Sequence, residues 1–194
     1  MFKNLLNNKP DYDTVVARLY GEDWNGVLKG MLRRTIVGTT DSPKLLLSYG
    51  NFNNGKYKPF YPKDLIGLNT EELHDRAIEN MLKQEYTVFS KKLKHGEMFG
   101  IRTNYFAPEI ILNPDMLGNL RRALSVNNYL VSICIRTNIL AIPKNENQKD
   151  LLNEFLQIHK DTYNNSSEKV FKHLLEFEGD TLKGVHDMHN LFNA

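Results

Sequence analysis

Apolar residues along the chain follow two rhythms. Steps of three and four place them on one face of a helix, and short β-branched or aromatic runs between turn residues suit strands. The first rhythm opens the sequence. Val15, Val16 and Leu19 behind Asp11, which can cap free amides, predict a short helix over Asp11 to Tyr20. Trp24, Val27, Leu28, Met31 and Leu32 predict a second helix, weakened by Gly26 and Gly30. The second rhythm begins at Lys44 to Tyr49, an apolar run held between Pro43 and Gly50. Asn54-Gly55 can supply the positive φ angles of a tight turn, so a partner strand is expected over Lys56 to Phe60. Pro59 and Pro62 offer no amide hydrogen to a sheet, and the chain beyond them should be extended or irregular.

The clearest helical signal starts at Asn69. Asn69-Thr70-Glu71-Glu72 forms a capping-box-like start, and Leu73, Ala77, Ile78, Met81 and Leu82 line one face of a helix over Thr70 to Gln84. Tyr86 to Phe89 and Met98 to Ile101 read as a hairpin turning at Lys94-His95-Gly96. Pro108 and Asn113-Pro114 are helix starts, because proline at a first helical position gives up only an amide that has no acceptor in the helix. One broken or two consecutive helices should therefore fill Pro108 to Leu124.

Tyr129 to Arg136 and Ile139 to Ile142 predict a second hairpin around Thr137-Asn138. Leu151, Leu152, Phe155, Leu156 and Ile158 form a helical stripe, and Val170, Phe171, Leu174 and Leu175 form another. The stretch from Gly179 reads as a polar, histidine-bearing tail. No Pro, Gly or Ser tract divides the chain. The expected architecture is a single α+β domain over residues 1–185, mainly an antiparallel sheet with two hairpins covered by helices, with 186–194 as a disordered tail.

Composition narrows the class. With 194 residues, 41% hydrophobic and 25% charged, the chain can bury a core without disulfides or a structural metal. Its apolar runs are far shorter than the ~20 residues of a membrane-crossing helix, so no membrane partner is expected. A net charge of +2 lacks the positive field that phosphate backbones attract, which disfavours nucleic acid. The densest basic cluster, Lys91-Lys92-Leu93-Lys94-His95, reads as a solvated turn. The lone Cys134, in the apolar run Tyr129 to Ile135, cannot form an internal disulfide and suits a buried site in a reducing compartment. Met1 to Asn8 is too short and polar for a secretory signal, and a cytoplasmic protein is expected.

Reactive chemistry is harder to find. The sequence carries no Gly-x-Ser-x-Gly elbow, no phosphate-cradling glycine loop and no spaced metal-ligand set, so no catalytic residue, metal or cofactor is assigned. Ser48 or Ser132 could still meet a histidine in space, because such pairs assemble from distant positions. His186 and His189 would share a face only if the tail were helical. Glu71-Glu72, and Glu176 with Glu178, are explained by capping and solvation. Basic and aromatic residues interleave over Lys56 to Tyr61, as a single-strand-binding platform or a protected strand edge would. One tetrapeptide occurs twice, as Ile101-Arg102-Thr103-Asn104 and Ile135-Arg136-Thr137-Asn138. It could set Arg102 and Arg136 along one sheet edge, with Tyr105 as a stacking neighbour, where two guanidiniums would grip a carboxylate or phosphate.

Four further patterns carry a family likeness: Ala77-Ile78-Glu79-Asn80-Met81, Tyr105-Phe106-Ala107-Pro108 with Ile110-Ile111-Leu112, Leu140-Ala141-Ile142-Pro143, and Phe177-Glu178-Gly179-Asp180. Over residues 60–185 the chain resembles the uncharacterised bacterial YtpQ-like family, a domain of unknown function. The resemblance implies an α+β fold and a bacterial cytoplasmic setting, and it names no catalyst. The sequence thus points to a non-catalytic interaction or regulatory domain with an unknown protein partner. Its alternatives are an enzyme acting on a small anionic or phosphorylated substrate near Arg102, Tyr105 and Arg136, and a nucleic-acid binder using Lys91 to Lys94 and Lys56 to Tyr61.

Overall fold

The structure is a computed structural model that describes residues 13–24, 30–65, 69–145 and 147–187. Its described residues form an α+β fold of three α-helices and two antiparallel sheets of four and six strands. The described residues fall into two compact units, one within 1–84 and one within 85–194.

In the first unit, β1 (Val15–Gly21), β2 (Arg33–Gly38), β3 (Pro43–Asn53) and β4 (Lys56–Pro59) make the four-stranded sheet. The long β3 is its centre, paired with β1 along one side and with β2 and then β4 along the other. Asn54 (φ 52°) and Gly55 (φ 76°) make the β3–β4 turn as expected, since both central positions of this turn type need positive φ. Helix α1 (Thr70–Leu82) is capped by Asn69, whose side-chain oxygen accepts the Glu71 amide hydrogen at 3.0 Å. It buries Leu73 and Ala77, and Asn80 Nδ2 donates to the Val15 carbonyl at 2.9 Å.

Asp11 and Tyr12 of the first expected helix lie outside the described residues, and Val15 to Tyr20 form strand β1 instead. Three apolar residues in a short run fit either period, and pairing with β3 decides the matter. Val15, Ala17 and Leu19 lie buried on the row shared with Leu45, Leu47 and Tyr49, while Arg18 and Tyr20 alternate onto the opposite row. Most of the second expected helix lies outside the described residues. Of its flanks, Trp24 and Leu32 are not helical, and Leu32 N donates to the Phe60 carbonyl at 2.8 Å. Strand β2 was not anticipated, although Thr35-Ile36-Val37 is β-branched throughout.

The second unit is built on six strands in the order β10-β9-β7-β8-β6-β5, comprising β5 (Thr87–Lys92), β6 (Glu97–Arg102), β7 (Asn128–Ser132), β8 (Asn138–Pro143), β9 (Leu174–Glu178) and β10 (Thr181–His186). Helix α3 (Lys149–Asn165) covers one face. Its Leu151, Phe155 and Leu156 form a core cluster with Met98, Leu130, Leu140, Ile142 and Leu174, and Phe89 packs against that cluster. The alternate row, with Ile101, Val131, Ile139, Ala141 and Leu175, is equally buried, and helix α2 (Pro114–Leu124) packs against β6 and β8. Burial on both faces is why the central strands read as unbroken apolar runs. A 3-10 turn over Pro108–Leu112 precedes α2, and the Asn113 side chain accepts the Asp115 amide hydrogen, so the two proline starts fall where expected.

Two expectations in this unit are corrected. Strand β7 stops at Ser132 rather than Arg136, because the next backbone groups find other partners: the Cys134 carbonyl accepts from Val170 N, the Arg136 carbonyl from Ala107 N and the Thr137 carbonyl from Thr103 N. The helix expected around Val170 to Leu175 is irregular chain leading into β9, which pairs along its length with β7. From Gly179 (φ 59°) the chain turns back into edge strand β10 instead of trailing as a tail, and residues 188–194 lie outside the described residues.

Candidate functional site

The two identical tetrapeptides have different fates. Arg102 ends β6 opposite Asn138, exposed, with Nε donating to Asn138 Oδ1 at 3.2 Å and its guanidinium 5.3 Å from the centre of the Phe89 ring. Arg136 lies in the irregular segment between β7 and β8 and is buried, donating to Glu109 Oε1 at 3.0 Å. That ion pair occupies the Arg136 charge within the fold. Tyr105 follows β6, is 47% exposed, and meets Phe106 edge-on at 6.4 Å.

Ser132 and a histidine do come together. The Ser132 hydroxyl lies 2.6 Å from Nδ1 of His159 on α3, and His159 Nε2 lies 3.0 Å from the Lys172 carbonyl. A carbonyl can only accept, so Nε2 carries the proton and Nδ1 accepts the Ser132 hydroxyl hydrogen. Burial pushes the His159 pKa down to about 4, partly offset by the bond to Lys172, which fixes the ring as neutral at pH 7. Both side chains are fully buried, so this arrangement serves as an internal polar tie between sheet and helix. Cys134 is a buried free thiol whose pKa is raised by burial against the opposing Ser132 hydrogen bond, a setting that suppresses thiolate chemistry.

At the other end of the sheet, Glu176 on β9 accepts from Lys144 Nζ at 2.6 Å and pairs with His186 on β10. Burial pushes the carboxyl upward, but the hydrogen bonds and charges of Lys144 and His186 outweigh it and hold the pKa below its ordinary value. Among the described residues no three His, Cys, Asp or Glu side chains converge to hold a metal ion. An open cleft of about 440 Å³ lies between His95 and the start of α3, lined by Asn147, Gln148, Lys149, Asp150 and Leu151.

In the first unit, Tyr57 from the basic-aromatic stretch donates to Ser48 Oγ at 3.1 Å. The Arg18 guanidinium lies 5.4 Å from the Tyr57 ring and 5.9 Å from Tyr20, which stacks on Trp24 at 3.9 Å. These rings are spent largely on one another and on Arg18. On the opposite row the Tyr49 hydroxyl and His74 Nδ1 share a hydrogen bond of 3.0 Å, and burial pushes the Tyr49 pKa up to about 12, with Arg34 opposing.

The feature that reaches outward is the edge of the six-stranded sheet at β5. Leu93 N donates to the Gly96 carbonyl at 2.9 Å, which closes the β5–β6 hairpin over Lys94-His95. Antiparallel pairing alternates from there: Thr87, Phe89 and Lys91 exchange backbone bonds with Arg102, Gly100 and Met98. Val88, Ser90 and Lys92 consequently turn their N–H and C=O groups away from β6, toward the open side. Every β5 residue except Phe89 is exposed, and Val88 keeps 44% of its surface and nearby Tyr86 39%. Phe89 lies across Gly100, where an added Cβ would stand 2.5 Å from the ring, and this contact anchors the strand to the core. The hairpin turn is braced by Glu154 of α3, whose carboxylate accepts the amide hydrogens of Lys94 and His95 at 3.1 and 3.2 Å. Sequence reading found the basic run but missed Val88 and Ser90. Which residues face an unpaired edge follows from strand order, and the only local signal was Lys91-Lys92 beside a β-branched run.

Comparison with known proteins gives no family model, no curated protein and no solved structure that matches the chain. The family likeness read from the sequence rests on its four patterns alone.

Proposed function

We propose that this protein is a non-catalytic interaction domain that binds a partner protein by adding one of the partner's extended segments to its six-stranded sheet along β5. One observation carries the reading: the strand presents the outward backbone groups of Val88, Ser90 and Lys92 on an exposed edge, with apolar Val88 beside them. Strand addition draws affinity from such main-chain bonds and specificity from alternate side chains. Phe89 and Glu154 hold the edge in place before a partner arrives, which lowers the ordering cost of binding. The buried free thiol Cys134 supports placing this activity in a reducing compartment such as the cytoplasm.

Ser90→Pro tests the reading, because it removes an outward amide hydrogen while leaving the bonds to β6 in place. Peptides selected from a random ten-residue library on the full chain should lose at least about tenfold in affinity for this variant, the cost of one lost backbone bond and the steric block beside it. Selected peptides that bind Ser90→Pro as well as the parent would overturn strand addition at β5.

A further inference from the structure

Resting on that reading, we propose that the segment received by β5 is acidic, with carboxylates on the side-chain row that meets Lys91 and Arg102. Thr87, Phe89 and Lys91 point to one face of the sheet, and Arg102, opposite Thr87, shares that face. The guanidinium leans over the Phe89 ring, 5.3 Å from its centre, so a cation stands on each side of this anchored aromatic. Thr87 and Lys91 are four strand positions apart, roughly 13 Å, and carboxylates at alternate positions of an added strand would match that spacing.

The nearby acidic groups leave these cations available. Glu154 is committed to the Lys94 and His95 amides, Asp150 stands 4.0 Å from His95, and Glu97 lies opposite Lys92 on the other face. Among the described residues neither Lys91 nor Arg102 has a carboxylate within ion-pair distance. The same charges oppose pairing with a second copy of this edge, as lysines on edge strands commonly do. An acidic strand therefore gains both the backbone ladder and charge complementarity, whereas a basic strand meets repulsion.

The test uses the full chain and three labelled ten-residue peptides, alternating Val with Glu, with Gln or with Lys, measured by fluorescence anisotropy at low and physiological salt. The Val-Glu peptide should bind at least tenfold tighter than Val-Gln, with Val-Lys weakest. The paired surface substitutions Lys91→Glu and Arg102→Glu should reverse that order without loss of the folded circular-dichroism spectrum. If all three peptides bind equally yet lose affinity to Ser90→Pro, strand addition stands and the acidic preference is wrong. If Ser90→Pro leaves Val-Glu binding unchanged, the edge reading itself fails. A uridine decanucleotide that binds more tightly than any peptide and ignores Ser90→Pro would assign the cations to nucleic acid instead.

Discussion

Ser132 and His159, twenty-seven positions apart, share a hydrogen bond of 2.6 Å inside the second unit, with no solvent exposure on either residue. The pair ties β7 to α3, and the Lys172 carbonyl fixes the ring from its other side. A serine held by a histidine is a familiar catalytic arrangement, but a nucleophile must also reach its substrate. Here the contact supplies polar satisfaction within a layer of leucine, isoleucine and phenylalanine.

Ser132→Ala should therefore leave Nδ1 of His159 buried without a donor and destabilise the fold by about 1–3 kcal/mol. Urea unfolding followed by circular dichroism measures this. A change below about 0.5 kcal/mol would show that the bond contributes nothing net.

The same histidine predicts a pH dependence. Its folded-state pKa, about 4, lies below the unfolded value of 6.5. The unfolded chain thus takes up a proton that the native state refuses, so the stabilising contribution is complete above pH 6.5 and is lost as pH falls from 6.5 toward 4. The loss should be on the order of 3 kcal/mol across that window. Glu176, also held below its ordinary value, contributes stability that disappears only at lower pH, as its carboxylate is protonated. Denaturation midpoints at pH 7, 6 and 5 should decline in the parent and flatten in His159→Leu. An equal decline in both would assign the slope to other groups.

Much of the fold was legible where local chemistry and tertiary context agree. Asn54-Gly55 specified its turn because only positive φ closes it, and Asn69 and Asn113 marked helix starts because each side chain satisfies a free amide. Val15 to Leu19 fits either period because its apolar residues fill so short a run, and Val170 to Leu175 straddles irregular chain and the first two residues of β9; in both cases the deciding partners, β3 and β7, are remote in sequence. The candidate site was less legible still. Arg102 and Arg136 sit in identical tetrapeptides, yet one is exposed and the other is buried against Glu109, a difference set by where the Pro108 turn places that carboxylate.

That buried pair gives a further expectation. Arg136→Met leaves the Glu109 carboxylate buried without its cation and should cost about 3–5 kcal/mol, whereas combining it with Glu109→Leu should restore most of the loss. Chemical denaturation of both single variants and the double variant completes the cycle. Losses that simply add would contradict a direct coupling between the two side chains.

The open edge of β5 is tested most directly by residue-resolved amide hydrogen exchange on the full chain, with and without the Val-Glu peptide. In the free protein, the amides of Phe89 and Lys91 should be protected by their bonds to β6, while those of Val88, Ser90 and Lys92 exchange quickly. The peptide should slow all three of these outward amides together. Protection of Val88, Ser90 and Lys92 already in the free chain, or no change in them at saturating peptide, would contradict an edge that receives a strand.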